Sequence, residues 1–501
     1  MIQAADIIPF FAAVPLAGAF LISFVKEKAR RTADLMAVLA SFITIALSLL
    51  AVYLYNTNGI LTYSVGSWKP PVGIGMVLDG LTAFMLVTVN LVAFCVVIFS
   101  LNYMEKFTSK RKFYTLFFLM LAGMNGVIVT GDLFNLFVFL EIAAVASYAL
   151  VAFGTERFEL EAAFKYAVMG TVGSLFVLLG IAFLYGHTST LNMADMGSIL
   201  AQKGSTDIVL MAVVLFLMGF GLKAALVPFH AWLPDAHPSA PAPISAMLSG
   251  VLIKSLGVYA ICRIFFNVIG IDPTVSSMLL VLGTLSMVIG GLLALGQWDY
   301  KRLLAYSSIS QVGYIILGIG FGTPLGILGG LLHLFNHSIF KSLLFLNSGA
   351  VEYTTGTRDM QEMGGLAERM PVTGTTGLIG SMSIAGIPPL SGFWSKLIII
   401  IAAVQAGRYG YAFWAVLVSI LTLAMYAKVM KYVFFGKLAE KWDQIKEVPI
   451  FMKLSMGALA IICLIGGILL LGGISEAFLS KASSVLLEGT KYATIVLKGI
   501  G

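Results

Sequence analysis

The sequence predicts an all-α polytopic membrane protein, and three observations carry that prediction. Of its 501 residues, 59% are hydrophobic and only 11% are charged, whereas a soluble domain holds about a quarter of its residues as charges. The apolar runs are continuous and about 18–25 residues long, the length of spanning helices and not the short alternating segments of a membrane barrel. The basic residues collect at the ends of those runs, so the net charge of +7 follows a membrane topology and implies no nucleic-acid partner.

About fourteen spans are expected, beginning near residues 7, 33, 78, 113, 133, 162, 207, 240, 274, 302, 326, 374, 410 and 449. The first apolar run lacks a basic leader and is followed by "KEKARR", which reads as a retained helix and not a signal peptide. Loops after odd-numbered helices are the basic ones, with Lys26, Lys28, Arg30, Arg31, then Lys106, Lys110, Arg111, Lys112, then Lys301, Arg302, Arg358, Arg369 and Lys431 to Lys446. Loops after even-numbered helices hold mainly Lys69, Lys203 and Arg408. Basic loops favour the cytoplasm, so both termini are expected outside a plasma-membrane protein. Cys95, Cys262 and Cys463 all lie in apolar runs and form neither a disulfide framework nor a metal-binding CxxC pair. No loop is long enough to hold a cofactor, and none is expected.

Ionisable residues inside the runs are the candidate functional groups. They are Glu141 in helix 5, Lys223 in helix 7, Lys254 in helix 8, Lys341 in helix 11 and Lys396 in helix 12. At about 2.5–3.5 kcal/mol each, five unpaired charges at the bilayer centre would cost roughly 13–18 kcal/mol. Snorkelling explains Lys165 and Lys203, and is an equal alternative for Lys396. It fails for Glu141, a short side chain with about eight apolar residues on each side.

In "HLFNHSIFKSLLF", His333, His337 and Lys341 recur every four residues and share one helix face. Two histidines at that spacing suit zinc. Here no acidic third ligand is near and a lysine follows one turn on, so a proton relay fits better and no metal is expected.

Two helices are interrupted. Pro228 and "PFHAWLPDAHPSAPAP" follow Lys223, and "AGIPPLSGF" precedes Lys396. Proline disrupts the helix ladder, and non-helical backbone at membrane depth marks a cavity or ion site. Interruptions at corresponding places in two halves point to inverted repeats. The expected organisation is residues 1–112 as helices 1–3, 113–270 as a first repeat of helices 4–8, 271–436 as a second inverted repeat of helices 9–13, and 437–501 as helix 14 with a tail.

Four motifs in order, "GDLFNLFVFLE", "GLKAALVPFHAWLPDAHPSAPAPISA", "HLFNHSIFKSLLFLNSGA" and "GIPPLSGFWSK", resemble the antiporter-like membrane subunits shared by respiratory complex I, Mrp-type cation/proton antiporters and archaeal membrane-bound hydrogenases. The resemblance covers helices 3–13. It implies fourteen helices, two inverted five-helix repeats and broken helices 7 and 12. It also implies a charge pair of Glu141 with Lys223, relay groups at Lys254, His333, His337 and Lys341, and a terminal lysine at Lys396. Asp79 resembles the family's acidic residue at the start of helix 3, with a local role at the outer interface. Two departures bring the chain closer to the Mrp D-type and hydrogenase H-type subunits. Ala225 stands where many complex I members have proline, and no long lateral helix follows helix 14.

The implied function is proton translocation within a multisubunit complex I-like, hydrogenase or Mrp-type assembly. The implied partners are the other membrane subunits of that assembly, the lipid bilayer, protons and, where antiport is coupled to it, sodium. No Cys cluster, nucleotide loop or haem motif supplies a driver within the chain. The alternatives are a self-sufficient secondary solute transporter and an intramembrane metalloenzyme built on His333 and His337.

Overall fold

Long apolar runs can satisfy their backbone in a membrane only as helices, and helices are what these runs form. The computed structural model describes residues 4–69, 71–107, 109–204 and 206–500. Its principal helices are α1 (Ala4–Ser23), α2 (Arg30–Asn58), α3 (Gly80–Lys106), α4 (Lys110–Val129), α5 (Leu133–Val151) and α6 (Arg157–Thr188). Then come α7, broken into α7a (Asp207–Lys223) and α7b (Leu233–Ser239), α8 (Ala242–Val268), α9 (Pro273–Leu295) and α10 (Tyr300–Gly320). The second half continues with α11 (Pro324–Thr355) and α12, broken into α12a (Pro371–Ala385) and α12b (Ser391–Gln405). It closes with α13 (Tyr409–Phe434) and α14 (Ile450–Leu470). Eleven helices among the described residues are long and apolar enough to cross a membrane by length and composition. The rest of the apolar sequence lies in α7, α11 and α12, where breaks or polar residues interrupt it.

Three features are additional to the expected helices. A small antiparallel pair, β1 (Leu61–Ser64) and β2 (Gly75–Leu78), joins α2 to α3 with Leu61 opposite Leu78. An amphipathic helix, Met193–Lys203, follows α6. The tail after α14 folds into helices Ser480–Leu487 and Lys491–Ile500, and Asn267 of α8 donates to the Val485 carbonyl at 2.7 Å.

Loops of like parity gather at one end of the bundle. Arg358, after α11, pairs with Asp299, after α9, at 3.3 Å, and it also donates to the Pro238 carbonyl at the end of α7b. At the opposite end, Asp132 bridges to Asn192 and Met76 to Thr130. Helix contacts depend on small residues, as in other membrane bundles. Where α9 crosses α10, a Cβ on Gly313 would lie 2.4 Å from the Met287 nitrogen.

Two residues read from sequence as loop charges are instead buried. Lys301 is 2% exposed, pairs with Glu352 at 2.7 Å and donates to the Ala240 carbonyl at 3.2 Å. Lys110 is 3% exposed and pairs with Asp34 at 2.9 Å. Both sit in the first turn of a helix that packs back on the bundle, so an ion pair, not water, satisfies them.

Asp79 caps α3, accepting from the Thr82 amide at 2.8 Å. Its carboxylate also pairs with Arg263 of α8 at 2.8 Å, with both side chains buried. The Arg263 guanidinium lies 4.9 Å from the Tyr492 ring of the tail, so one pair ties α3, α8 and the tail together. Asp79→Leu or Arg263→Met alone should lower the melting temperature of the detergent-purified protein, because a lone buried ion costs about 3–5 kcal/mol. The double variant should recover most of the loss, as differential scanning fluorimetry of all three would report.

Candidate functional site

Helix α5 is capped by Asp132, whose carboxylate accepts from the Asn135 amide at 2.8 Å. Glu141 lies midway along it, 30% exposed on the outer side of the bundle. Lys223 ends α7a, where unsatisfied carbonyls favour a cation, and its side chain is 4% exposed. The two meet with Nζ 3.8 Å from Oε1, an ion pair too long for a hydrogen bond. Each has a neutral partner as well. The Ser174 hydroxyl of α6 donates to Glu141, and Lys223 donates to the Tyr148 hydroxyl at 3.4 Å.

The break after Lys223 is satisfied by side chains. Trp232 Nε1 donates to the Leu222 carbonyl at 3.0 Å, and the Val227 amide donates to the Ser286 hydroxyl at 2.9 Å. Ala225 takes φ +56°, a left-handed conformation that a proline ring would forbid. A Cβ on Gly257 of α8 would lie 2.5 Å from the Ala224 side chain, so the end of α7a abuts α8 one turn from Lys254.

Helix α8 widens into π-helical turns at Leu248–Leu252, Lys254–Tyr259 and Arg263–Val268, a form that often marks functional sites. Lys254, fully buried, donates to the carbonyls of Ser249 and of Gly250, the latter at 2.8 Å. On α11, His333, His337 and Lys341 share one fully buried face. His333 Nδ1 contacts the Ser395 hydroxyl at 2.9 Å and Nε2 the Gln311 carbonyl oxygen at 3.2 Å. The rings of His333 and His337 lie 6.4 Å apart and nearly parallel, and among the described residues neither nitrogen of His337 has a hydrogen-bond partner. Lys341 donates to the Ser307 hydroxyl at 2.8 Å and the Tyr426 hydroxyl at 3.2 Å. Lys396 donates to the Ile384 carbonyl at 2.8 Å across the break in α12 and to the Ser419 hydroxyl at 3.3 Å. A cavity of about 310 Å³, lined by Gly386, Pro388, Lys396 and Ser419, opens beside it.

The structure therefore assembles the seven residues selected from sequence into two groups. Glu141 and Lys223 form one. In the other, His333, His337 and Lys341 line one face of α11, His333 touches Ser395 next to Lys396, and Lys254 holds the carbonyl of Gly250 where α8 packs against Ser342 of α11. Among the described residues Lys254, Lys341 and Lys396 have no carboxylate within ion-pair distance; their acceptors are carbonyls and hydroxyls. No three His, Cys, Asp or Glu side chains among the described residues converge to hold a metal. Sequence reasoning missed Ser174, Tyr148, Ser307, Ser395, Ser419, Gln311 and Tyr426, because lone hydroxyls and amides on apolar helices carry no pattern of their own.

The two histidines should differ in what their loss does to stability. His333→Leu leaves the Gln311 side-chain oxygen without its partner, at about 1–3 kcal/mol for an unsatisfied buried group, while the Ser395 hydroxyl keeps Gly392 and Asn336. His337→Leu strands nothing. Thermal melting should therefore fall for the first variant and stay near parental for the second.

A multi-pass helical membrane protein with two broken helices and a buried series of lysines and histidines is the class this fold and site define. Residues 130–422 match the model of the family described as NADH:quinone oxidoreductase/Mrp antiporter, and residues 64–114 match that of the complex I chain 5 N-terminus. The chain belongs to the NADH:quinone oxidoreductase/Mrp antiporter family. It is 36% identical to the D-type subunit of the Na(+)/H(+) antiporter of Alkalihalophilus pseudofirmus, over 98% of each chain. Its fold superposes on a chain of the Mrp complex from Dietzia sp. with a TM-score of 0.91 and 29% identity, covering 100% of both. It also superposes on a chain of the membrane-bound sulfane sulfur reductase, an archaeal respiratory membrane complex, with a TM-score of 0.88, 32% identity and coverage of 97% and 99%.

Proposed function

We propose that this chain is the proton-translocating, antiporter-like subunit of a multisubunit complex in the plasma membrane. The observation that carries the reading is the Glu141–Lys223 pair at the mouth of a broken helix, held at 3.8 Å and leading to buried lysines whose acceptors are neutral. An ammonium that loses its counter-charge in a dry site is poised to give up its proton. Drawing Glu141 away thus sends the proton of Lys223 towards Lys254. His337 and His333 carry protons across the centre to Lys341 and Lys396. The break in α12 and its cavity form the outlet.

Moving one charge against 100 mV requires about 2.3 kcal/mol, and this chain supplies no driver of its own. Relatives named as a Na(+)/H(+) antiporter subunit and as part of a respiratory complex favour a sodium gradient or redox chemistry in a neighbouring subunit. Glu141 supports the same conclusion. A carboxylate 30% exposed in mid-span faces hydrocarbon in the isolated chain, and a partner helix would cover it. We assign helices 4–8 and 9–13 to two inverted repeats, since the breaks fall in the fourth helix of each block. Basic loops after odd-numbered helices put that face in the cytoplasm and both termini outside.

In the assembled complex, Glu141→Ala and Lys223→Ala should each abolish proton flux in proteoliposomes while assembly persists. Near-parental flux in Glu141→Ala would remove the pair from the mechanism. The chain reconstituted alone should give no sodium- or potential-driven flux above background.

Topology has its own check. In intact cells, a membrane-impermeant thiol reagent should label single cysteines near residue 490 and spare those in the loop around residue 110. The opposite pattern would invert the orientation.

A further inference from the structure

The neutral groups around Glu141 and Lys223 form a set that can serve both charge states of each. A serine hydroxyl has one proton and two lone pairs. The Ser174 hydroxyl, buried on α6, lies within reach of two acceptors, the Glu141 carboxylate and the Gly170 carbonyl at 3.1 Å. It can donate to only one at a time. With Glu141 ionised, the proton points to the carboxylate. With Glu141 protonated, the hydroxyl turns to Gly170 and accepts from the acid.

Tyr148 does the same for Lys223. Its hydroxyl accepts from the ammonium at 3.4 Å, and it can instead donate to a neutral amine. Gly170 makes room for it, since a Cβ there would lie 2.0 Å from the Tyr148 oxygen. The Tyr148 ring packs edge-on against Tyr166 at 4.6 Å, Tyr166 stacks on Trp232 at 4.2 Å, and Trp232 holds the Leu222 carbonyl at the break. The tyrosine is thereby tied to the backbone turn that carries Lys223.

We propose that Ser174 and Tyr148 are positioning residues that let Glu141 and Lys223 separate and change protonation without leaving either side chain unsatisfied. The proposal rests on the proton-translocation reading above. An unsatisfied polar group in a dry site is expensive, so a bare pair would be trapped in contact. Two rotating hydroxyls bring the joined and separated states close in energy.

The test uses the assembled complex in proteoliposomes, with flux and infrared difference spectra recorded in parallel. Glu141→Gln identifies the Glu141 carboxyl bands by their loss. Ser174→Ala should shift those bands and lower flux at least about tenfold, the lower end of what one hydrogen bond to an ionised group carries. Ser174→Thr, which keeps the hydroxyl, should restore both. Tyr148→Phe should lower flux to a similar degree with the complex intact. Parental flux and unshifted bands in Ser174→Ala, with Glu141→Gln inactive, would overturn the proposal and leave the translocation reading standing. Active Glu141→Gln would overturn both. Should Ser174→Ala fail to assemble, Tyr148→Phe decides alone, and parental flux there overturns the proposal.

Discussion

A backbone carbonyl released from its helix inside a membrane must find a donor, because lipid offers none. Three of the four candidate lysines stand at interruptions of their helices, and two of them, Lys254 and Lys396, donate to carbonyls there. Lys223 ends α7a, at the carbonyl end of a helix that stops in mid-bundle. Lys396 donates to Ile384 in the last turn of α12a. Lys254 donates to Ser249 and Gly250 where α8 widens into π turns. An interruption needs a donor and a buried ammonium needs an acceptor, so at Lys254 and Lys396 one arrangement answers both requirements, while at Lys223 Trp232 takes the Leu222 carbonyl. This explains why glycine and proline recur near the lysines, as at Pro228, Gly386, Pro388 and Pro389.

The buried charges divide by the kind of partner they have. Arg263 with Asp79, Lys301 with Glu352 and Lys110 with Asp34 sit at 2.7–2.9 Å from full counter-charges. Breaking any of them would strand an ion, so they hold helices and loops in place. Lys254, Lys341 and Lys396 rest on dipoles, which hold an ammonium less firmly and remain satisfied by water or a rotated hydroxyl when it deprotonates. Glu141 and Lys223 fall between these classes, with opposite charges but a separation of 3.8 Å. Fixed pairs at the helix ends and loosely held groups in the middle are what a rigid scaffold around a mobile proton requires.

Legibility in the sequence followed the physical range of each signal. Apolar run length is a local property, and the helices begin within a few residues of the expected positions, as at Leu133, Asp207 and Ile450. A charge in an apolar run and a proline in a helix are equally local, so the seven candidate residues and both breaks were visible. The π turns of α8 were not, because nothing in "LSGVLIKSLGVY" distinguishes a π turn from an α turn. Arg263 was passed over in the sequence because its partner, Asp79, lies 184 positions away. Lys301 and Lys110 looked like loop charges for the same reason. A tertiary counter-ion leaves no trace near the residue it satisfies.

Exposure separates the two members of the central pair and gives the site a direction. Lys223 is enclosed by α5, α6 and the turn at the break, whereas Glu141 opens onto the outer surface of α5 beside Phe134, Val138 and Val145. A neighbouring helix can therefore act on the carboxylate without entering the bundle, and the ammonium behind it responds through 3.8 Å of separation. Lys254, His333, His337 and Lys341 are shielded from such contact by complete burial, so a helix docking on this surface meets Glu141 and not them. On the proposed reading, a partner that drives this chain acts from one side, at one carboxylate, and the groups behind it stay out of its reach.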